Sequence, residues 1–224
     1  SSGYRESGYY PEAVANMLAL LGWHPSGNQE MFSMEELIAE FSLERVSKSG
    51  AKFDVQKALW FNQQYLQRKP LHEQYALLKP QIEAKGYDAC QEYVEQVIAL
   101  MREKVQFAKE VIEEGYYFFE VPKSYDEEVI RKKWKPETGA HMLGLADAFA
   151  QLAENAVAAD YENAFKSYCE TAGVKTGELL QPLRVAVSGA PMGPPIWDMI
   201  ALIGRDFITP RLRTAAEKIT VAGA

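Results

Sequence analysis

Little in this sequence favours metal or redox chemistry. Its 224 residues hold two cysteines, Cys90 and Cys169, and three scattered histidines, His24, His72 and His141. No Cys-x-x-Cys pair occurs, so the ligand spacing of a structural zinc site is missing. Two cysteines demand no disulfide framework, and a reducing, cytoplasmic setting is the simpler reading. No apolar run approaches the ~20 residues that a membrane helix needs. The first ten residues lack the basic-then-apolar order of a secretion signal. Period-two alternation is absent, which removes the strand that would precede a glycine-rich phosphate-binding turn. No segment recurs at a fixed period, which excludes a solenoid. Positive charge is also in short supply. The net charge is −7, the wrong sign for a general nucleic-acid binder.

What is present is helical periodicity over a chain that is 47% hydrophobic, enough for a packed interior. Pro11-Glu12-Ala13 reads as a helix start, with Val14, Met17, Leu18 and Leu21 at helical spacing and Gly22 as the stop. Ser33-Met34-Glu35-Glu36 has the capping-box form and opens a helix that runs to Phe41. Asp54 caps a third helix, through Leu59, Trp60 and Tyr65. Lys69-Pro70 and Lys79-Pro80 read as punctuation, and Glu83 to Gly115 as long amphipathic stretches. Tyr116 to Phe119 is an aromatic run, either extended or a buried connector. Further helices are expected over 140–158, 160–172, 177–187, 196–203 and 205–220, with a stiff loop at Pro191 to Pro195. The expected fold is all-α, in two consecutive helical bundles. The expected segments are 1–66, 67–136 and 137–224, with the polar stretch Pro122 to Pro136 as a boundary.

Candidate chemistry is thin. Glu35-Glu36, Glu113-Glu114 and Asp126-Glu127-Glu128 sit where solvated helix faces and N-termini attract acids, so no acid–base pair is read from them. Cys90 and Cys169 follow helical patterns without a nearby His, and read as small packed residues. Charge is not uniform, however. From Gln181 to Ala224 there are five basic residues (Arg184, Arg205, Arg211, Arg213, Lys218) against three acidic ones (Asp198, Asp206, Glu217), a local +2. Arg131-Lys132-Lys133-Trp134-Lys135 is the densest basic run, suited to phosphates or to a solvated helix end.

Three stretches, in order, carry a family resemblance. They are Gly8-Tyr9-Tyr10-Pro11-Glu12-Ala13 through Leu21-Gly22-Trp23; Phe41-Ser42-Leu43-Glu44-Arg45-Val46-Ser47-Lys48-Ser49-Gly50-Ala51-Lys52-Phe53-Asp54 with Lys57 and Leu59-Trp60-Phe61-Asn62; and Gln181-Pro182-Leu183-Arg184 through Gly189, with Gly193-Pro194 and Ile203-Gly204. Together they resemble the anticodon-binding region of bacterial-type glutamyl-tRNA synthetases, a class I family. The resemblance implies a tRNA-binding segment of a glutamate–tRNA ligase. Its N-terminal catalytic domain, with the ATP, Mg and glutamate sites, would lie before Ser1. The implied partners are tRNA(Glu) and that catalytic domain, with no membrane and no DNA. The chain alone is then expected to be inactive. Ser47-Lys48-Ser49-Gly50 echoes the family's ATP-binding signature loop, but without a preceding sheet it reads as a linker.

The resemblance also implies tRNA-binding roles for particular residues. Lys57 and Trp60, at i and i+3, share a helix face, with Trp60 also packing against Phe53 and Tyr65. Arg184 falls where the family places an anticodon-facing Arg, a planar fork suited to a base edge. Gly193 and Pro194 match the loop that meets the anticodon, and Ile196 would support a splayed base. Arg102 and Lys104 lie near the place where members that reject glutamine tRNA carry Arg. Aligned without gaps, that place is Lys104, a point charge, which leaves a relaxed-specificity synthetase open as an alternative. A non-catalytic protein-interaction scaffold is the other alternative.

Overall fold

The computed structural model describes residues 3–220. Twelve α-helices and two 3-10 turns make up its regular structure. The one extended pairing among the described residues is an isolated antiparallel bridge between Trp23 and Val46. The all-α expectation holds. Two compact units divide the chain, and they interleave. The first takes the residues up to Gly86 together with Arg102–Glu113, and the second takes Tyr87–Met101 together with the residues from Glu114 onward. Neither position 66 nor position 136 is a limit between the units. Leu66 is fully buried inside the third helix, and Pro136 lies between the seventh and eighth.

The first unit is built on α1 (Pro11–Gly22), α2 (Met34–Glu40), α3 (Val55–Arg68) and α4 (Leu71–Ala84). Proline opens α1, as read from sequence. The capping box of α2 is formed: Glu36 N–H donates to Ser33 Oγ at 3.1 Å and Ser33 N–H to Glu36 Oε2 at 3.1 Å. Asp54 caps α3 by accepting from the Gln56 and Lys57 amides at 2.9 and 3.3 Å. Ser33→Ala should lower the stability of this unit by about 1 kcal/mol, because the Glu36 amide at the α2 start loses its Oγ acceptor while the residue 33 amide keeps the Glu36 carboxylate. Urea unfolding followed through Trp23, which packs with Phe32 and Leu37 beneath α2, checks it.

Buried amides fasten the same unit. Asn16 donates to the Glu30 carbonyl at 2.8 Å and accepts from Phe32 N–H at 2.7 Å. Asn62 accepts from Tyr10 N–H at 2.8 Å and donates to the Gln106 carbonyl at 2.7 Å. Gln74 reaches the Leu66 and Lys69 carbonyls. Each bond pairs a polar group that water cannot reach.

Two readings of the sequence are corrected here. Pro80 does not punctuate: α4 runs through it to Ala84. Continued burial of Leu78 and Ile82 offsets the hydrogen bond that proline cannot donate. The amphipathic stretches read from Glu83 to Gly115 are also shorter than expected. The segment is broken at Gly86, which is left-handed at φ 71°. It breaks again after α5 (Gln91–Met101), before the short α6 (Glu110–Glu114). Val105 is buried in the second break, so its apolar side chain serves the core without being helical.

The second unit holds α5, α7 (Glu127–Lys133), α8 (Thr138–Ala150), α9 (Ala158–Ala172), α10 (Thr176–Ser188), α11 (Ile196–Ile203) and α12 (Arg205–Lys218). α12 packs on α8, α11 on α9 and α5, and α10 on α7 and α12. Tyr116–Phe118 is a 3-10 turn with Tyr117 and Phe118 buried, the connector form of the two readings left open. Gly189 ends α10 at φ 75°, and a Cβ there would lie 2.2 Å from the Ser124 carbonyl oxygen. Only glycine permits both that backbone conformation and that approach.

Candidate nucleic-acid interface

One candidate surface lies on α10 and the loop behind it. Gln181, Arg184 and Ser188 recur at i, i+3 and i+7, one face of the helix. All three hold the loop. Gln181 Nε2 donates to the Pro191 carbonyl at 2.8 Å, and Arg184 Nη1 donates to the Pro194 carbonyl at 2.8 Å. Ser188 Oγ lies 2.8 Å from the Arg184 carbonyl and accepts from Ala190 N–H at 3.2 Å. Gly193 sits against the other side of the guanidinium: a Cβ there would come within 3.3 Å of Arg184 Nη1 and 3.2 Å of Tyr117 Oη. Glycine lets a phenol and a guanidinium close on the loop backbone together.

Burial sets the electrostatics. Arg184 is half-buried, and desolvation lowers its pKa, with the Tyr117 hydroxyl acting in the opposite sense. Burial pushes Tyr117 up to about 12, so it stays a neutral phenol. The arginine keeps its charge, and its fork is held in one place. Guanidinium has five donors, so the Pro194 bond leaves several for another acceptor.

The loop's apolar groups differ from expectation. Ile196 is only 7% exposed, on α11 with its side chain in the core, and Pro194 is buried as well. Ile196 therefore does not present a surface on which a base could rest, because Pro195 caps α11 and the first helical side chain turns inward. Met192, not singled out from sequence, is 82% exposed at the loop tip. Lys123 and Tyr116 were also missed. Pro122 and Ser124 pack on Gly189, just behind the loop, and the ammonium of Lys123 lies 5.0 Å from the Tyr116 ring centre. Sixty-odd residues of separation hid that proximity.

A second group lies on the other unit. Lys57 and Trp60 do meet on α3, with Lys57 Nζ 4.6 Å from the indole centre. Lys57 also pairs with Glu30 at 2.8 Å across a half-exposed surface, a contact of small net worth that a phosphate could replace. The ring partner of Trp60 is Phe61, at 5.0 Å, in place of the expected Phe53 and Tyr65. Phe53 instead meets Tyr4, and the Tyr65 hydroxyl donates to the Phe32 carbonyl. Arg102 and Lys104 occupy the turn after α5 and not a helix face. Arg102 is partly buried and reaches the Lys69 carbonyl at 3.4 Å, while Lys104 is exposed.

Besides Arg184, three of the five basic residues counted from Gln181 onward are engaged within the fold. Arg211, 5% exposed, donates to the carbonyls of Tyr117, Val187 and Glu120 at 2.7, 3.0 and 3.1 Å. Arg205 bonds the Leu152 carbonyl and pairs with Asp206, and Arg213 pairs with Asp147. The 131–135 run is a helix end. Lys132 pairs with Glu128 and Lys135 with Glu178, and Trp134 is buried.

A family model described as the anticodon binding domain matches residues 73–216, a span that includes α10, its loop and Arg211. The chain belongs to the anticodon-binding domain family. A second model, the catalytic domain of class I tRNA synthetases (E and Q), matches residues 1–60. Lys57 and Trp60 fall within this second match. The glutamate–tRNA ligase of Porphyromonas gingivalis is 42% identical over 217 residues, 97% of this chain and 43% of the relative. That of Amoebophilus asiaticus is 38% identical over 222 residues, again 43% of the relative. A crystal structure of a glutamate tRNA ligase from Elizabethkingia meningosepticum, in complex with its amino acid, superposes with a TM-score of 0.91 at 37% identity, over 98% of this chain and 43% of that one. The glutamate-tRNA synthetase of Elizabethkingia anophelis gives 0.85 at 35% identity, over 97% of this chain and 43% of that one. The anticodon-binding chain thus spans less than half the length of the curated relatives it matches. No helix of its described residues is long and apolar enough to cross a membrane.

Proposed function

We propose that this chain is the tRNA-binding part of a glutamate–tRNA ligase, and that it positions the anticodon arm of tRNA(Glu) for a catalytic domain on the same polypeptide. The observation that carries the reading is the α10 face that straps its own loop. Arg184, Gln181 and Ser188 hold a glycine- and proline-rich loop in place, inside the span matched by the anticodon-binding family. A loop fixed before binding loses little entropy when an unpaired base arrives. In this reading each candidate residue has a role. Arg184 offers a pinned fork to a base edge, Gly193 and Pro194 offer stiff backbone, and Lys57, Trp60, Arg102 and Lys104 offer charge and a ring face to the strand. Met192 takes the apolar role first given to Ile196. Use of ATP with Mg belongs to the catalytic domain in this reading, as does a cytoplasmic location.

Three candidate cations, Lys57, Arg102 and Lys104, are free of the base-edge role given to Arg184 and set the expected salt dependence. With about 0.7 to 0.9 per neutralised phosphate, the slope of log affinity on log salt should be roughly −2.4. Binding of tRNA(Glu) to the chain should then weaken by roughly 30-fold on a fourfold rise in salt. Fluorescence titration with tRNA(Glu), tRNA(Gln) and an unrelated tRNA measures the slope and the preference together. A flat salt profile, or equal binding of all three, defeats the assignment. The chain on its own is expected to give no glutamate-dependent ATP–pyrophosphate exchange.

A further inference from the structure

α2 carries apolar side chains on two faces. Leu37 turns inward and packs with Trp23 and Phe32. Met34 and Ile38, at i and i+4, lie on another face, and Ile38 is 71% exposed. Phe41, Leu43 and Val46 continue the exposure, with Leu43 at 78%. Single exposed apolar residues are ordinary on a protein surface, whereas five large ones within one short segment mark a surface that is covered in use.

The segment is firmly held. The Ser33–Glu36 capping box fixes its start. Behind it, His24 N–H donates to the Arg45 carbonyl at 3.2 Å and Ser47 N–H to the Gly22 carbonyl at 2.8 Å. The Phe41 ring lies 6.1 Å from that of Trp23, which ties the exposed face to the core. Its surroundings are acidic: Glu35, Glu36, Glu40 and Glu44 against Arg45. That rim repels phosphates, so this face is not a continuation of the RNA surface.

Two findings say what covers it. The segment lies within residues 1–60, which match the class I catalytic-domain family, and relatives are more than twice the length of this chain. We propose that the face from Met34 to Val46 docks the remainder of a catalytic domain on the same polypeptide, through an apolar surface with a basic rim. This rests on the ligase reading above. The catalytic part then sits on a rigid patch of the first unit and not merely on a tether.

Thiol labelling tests it. Leu43→Cys, and separately Ile38→Cys, are placed in the longer enzyme and in the 224-residue chain. Maleimide uptake at the new thiol is followed by peptide mass spectrometry. The expected result is fast labelling in the chain and labelling slower by roughly tenfold or more in the longer enzyme, because a thiol must be accessible to react. Equal rates in both overturn the proposal. Slow labelling of the chain itself, with dimers in sedimentation, overturns it in favour of a second copy. Fast labelling of the longer enzyme that slows only when tRNA is added overturns it in favour of RNA. Charging assays on the unsubstituted longer enzyme separate the two ideas. Charging of tRNA(Glu) with fast labelling removes the docking face alone. Slow labelling without glutamate charging removes the ligase reading and keeps the docking face.

Discussion

Arg211→Met is expected to cost the second unit roughly 3 kcal/mol, the largest stability loss of any single substitution of a charged residue proposed for this chain. The side chain is 5% exposed and spans three carbonyls, those of Tyr117, Val187 and Glu120, at 2.7, 3.0 and 3.1 Å. It joins α12 to the end of α10 and to the 3-10 turn that carries Tyr117. Methionine fills much of the same volume but donates nothing, so these acceptors lose a charged partner. An unsatisfied buried acceptor costs about 1 to 3 kcal/mol. Against this stands the relief of desolvation, since burial lowers the Arg211 pKa and so opposes its charge. With two or three acceptors stranded, the loss exceeds the relief. Urea unfolding monitored through Trp134 and Trp197 on the second unit reads the change. A loss under about 1 kcal/mol would mean that water replaces the guanidinium at all three carbonyls.

Arg211 also shows where sequence reading stops. Counted along the chain, it is one of five basic residues in an RNA-facing segment. In the fold it is an internal clamp, and Arg205 and Arg213 are engaged with Leu152, Asp206 and Asp147. Charge counting records the residue type but not which way it points. Local signals fared better because their physics is local. The Ser33 capping box, the Asp54 cap and the proline start of α1 each depend on residues within four positions. Pro80 was misread because burial of Leu78 and Ile82, set by tertiary packing, outweighs a local preference. The site was legible in part for the same reason. Arg184 and the Gly193-Pro194 loop are close in sequence, and their contact spans ten residues. Tyr117 approaches that loop, and Pro122 and Ser124 pack on Gly189 just behind it, from more than sixty positions away, beyond any spacing rule. The inward turn of Ile196 follows from the register of α11, which a one-residue shift would rotate by about 100°.

Arg184→Ala is expected to weaken tRNA(Glu) binding by about 1 to 3 kcal/mol, roughly 5- to 150-fold. Neutralising Arg131, Lys132, Lys133 or Lys135 one at a time should cost less. Lys132 and Lys135 already face Glu128 and Glu178, and a phosphate contact is one of several that share the load. Two mechanisms contribute at Arg184, and they can be separated. If the guanidinium only straps the loop, Gln181→Ala, which releases the Pro191 carbonyl, should weaken binding comparably. If it also meets a base edge, Arg184→Ala should exceed Gln181→Ala, and Arg184→Lys should recover little, because an ammonium cannot present a planar fork. The salt slope gives an independent reading. Losing a base contact leaves it nearly unchanged, whereas losing a phosphate contact reduces it by about 1. The pinned geometry favours the base-contact outcome: one donor is committed to Pro194, and the guanidinium plane is fixed by that bond and by the close approach of Gly193. A ranking in which the 131–135 run matters more than Arg184 would move the RNA off the α10 loop and onto the end of α7.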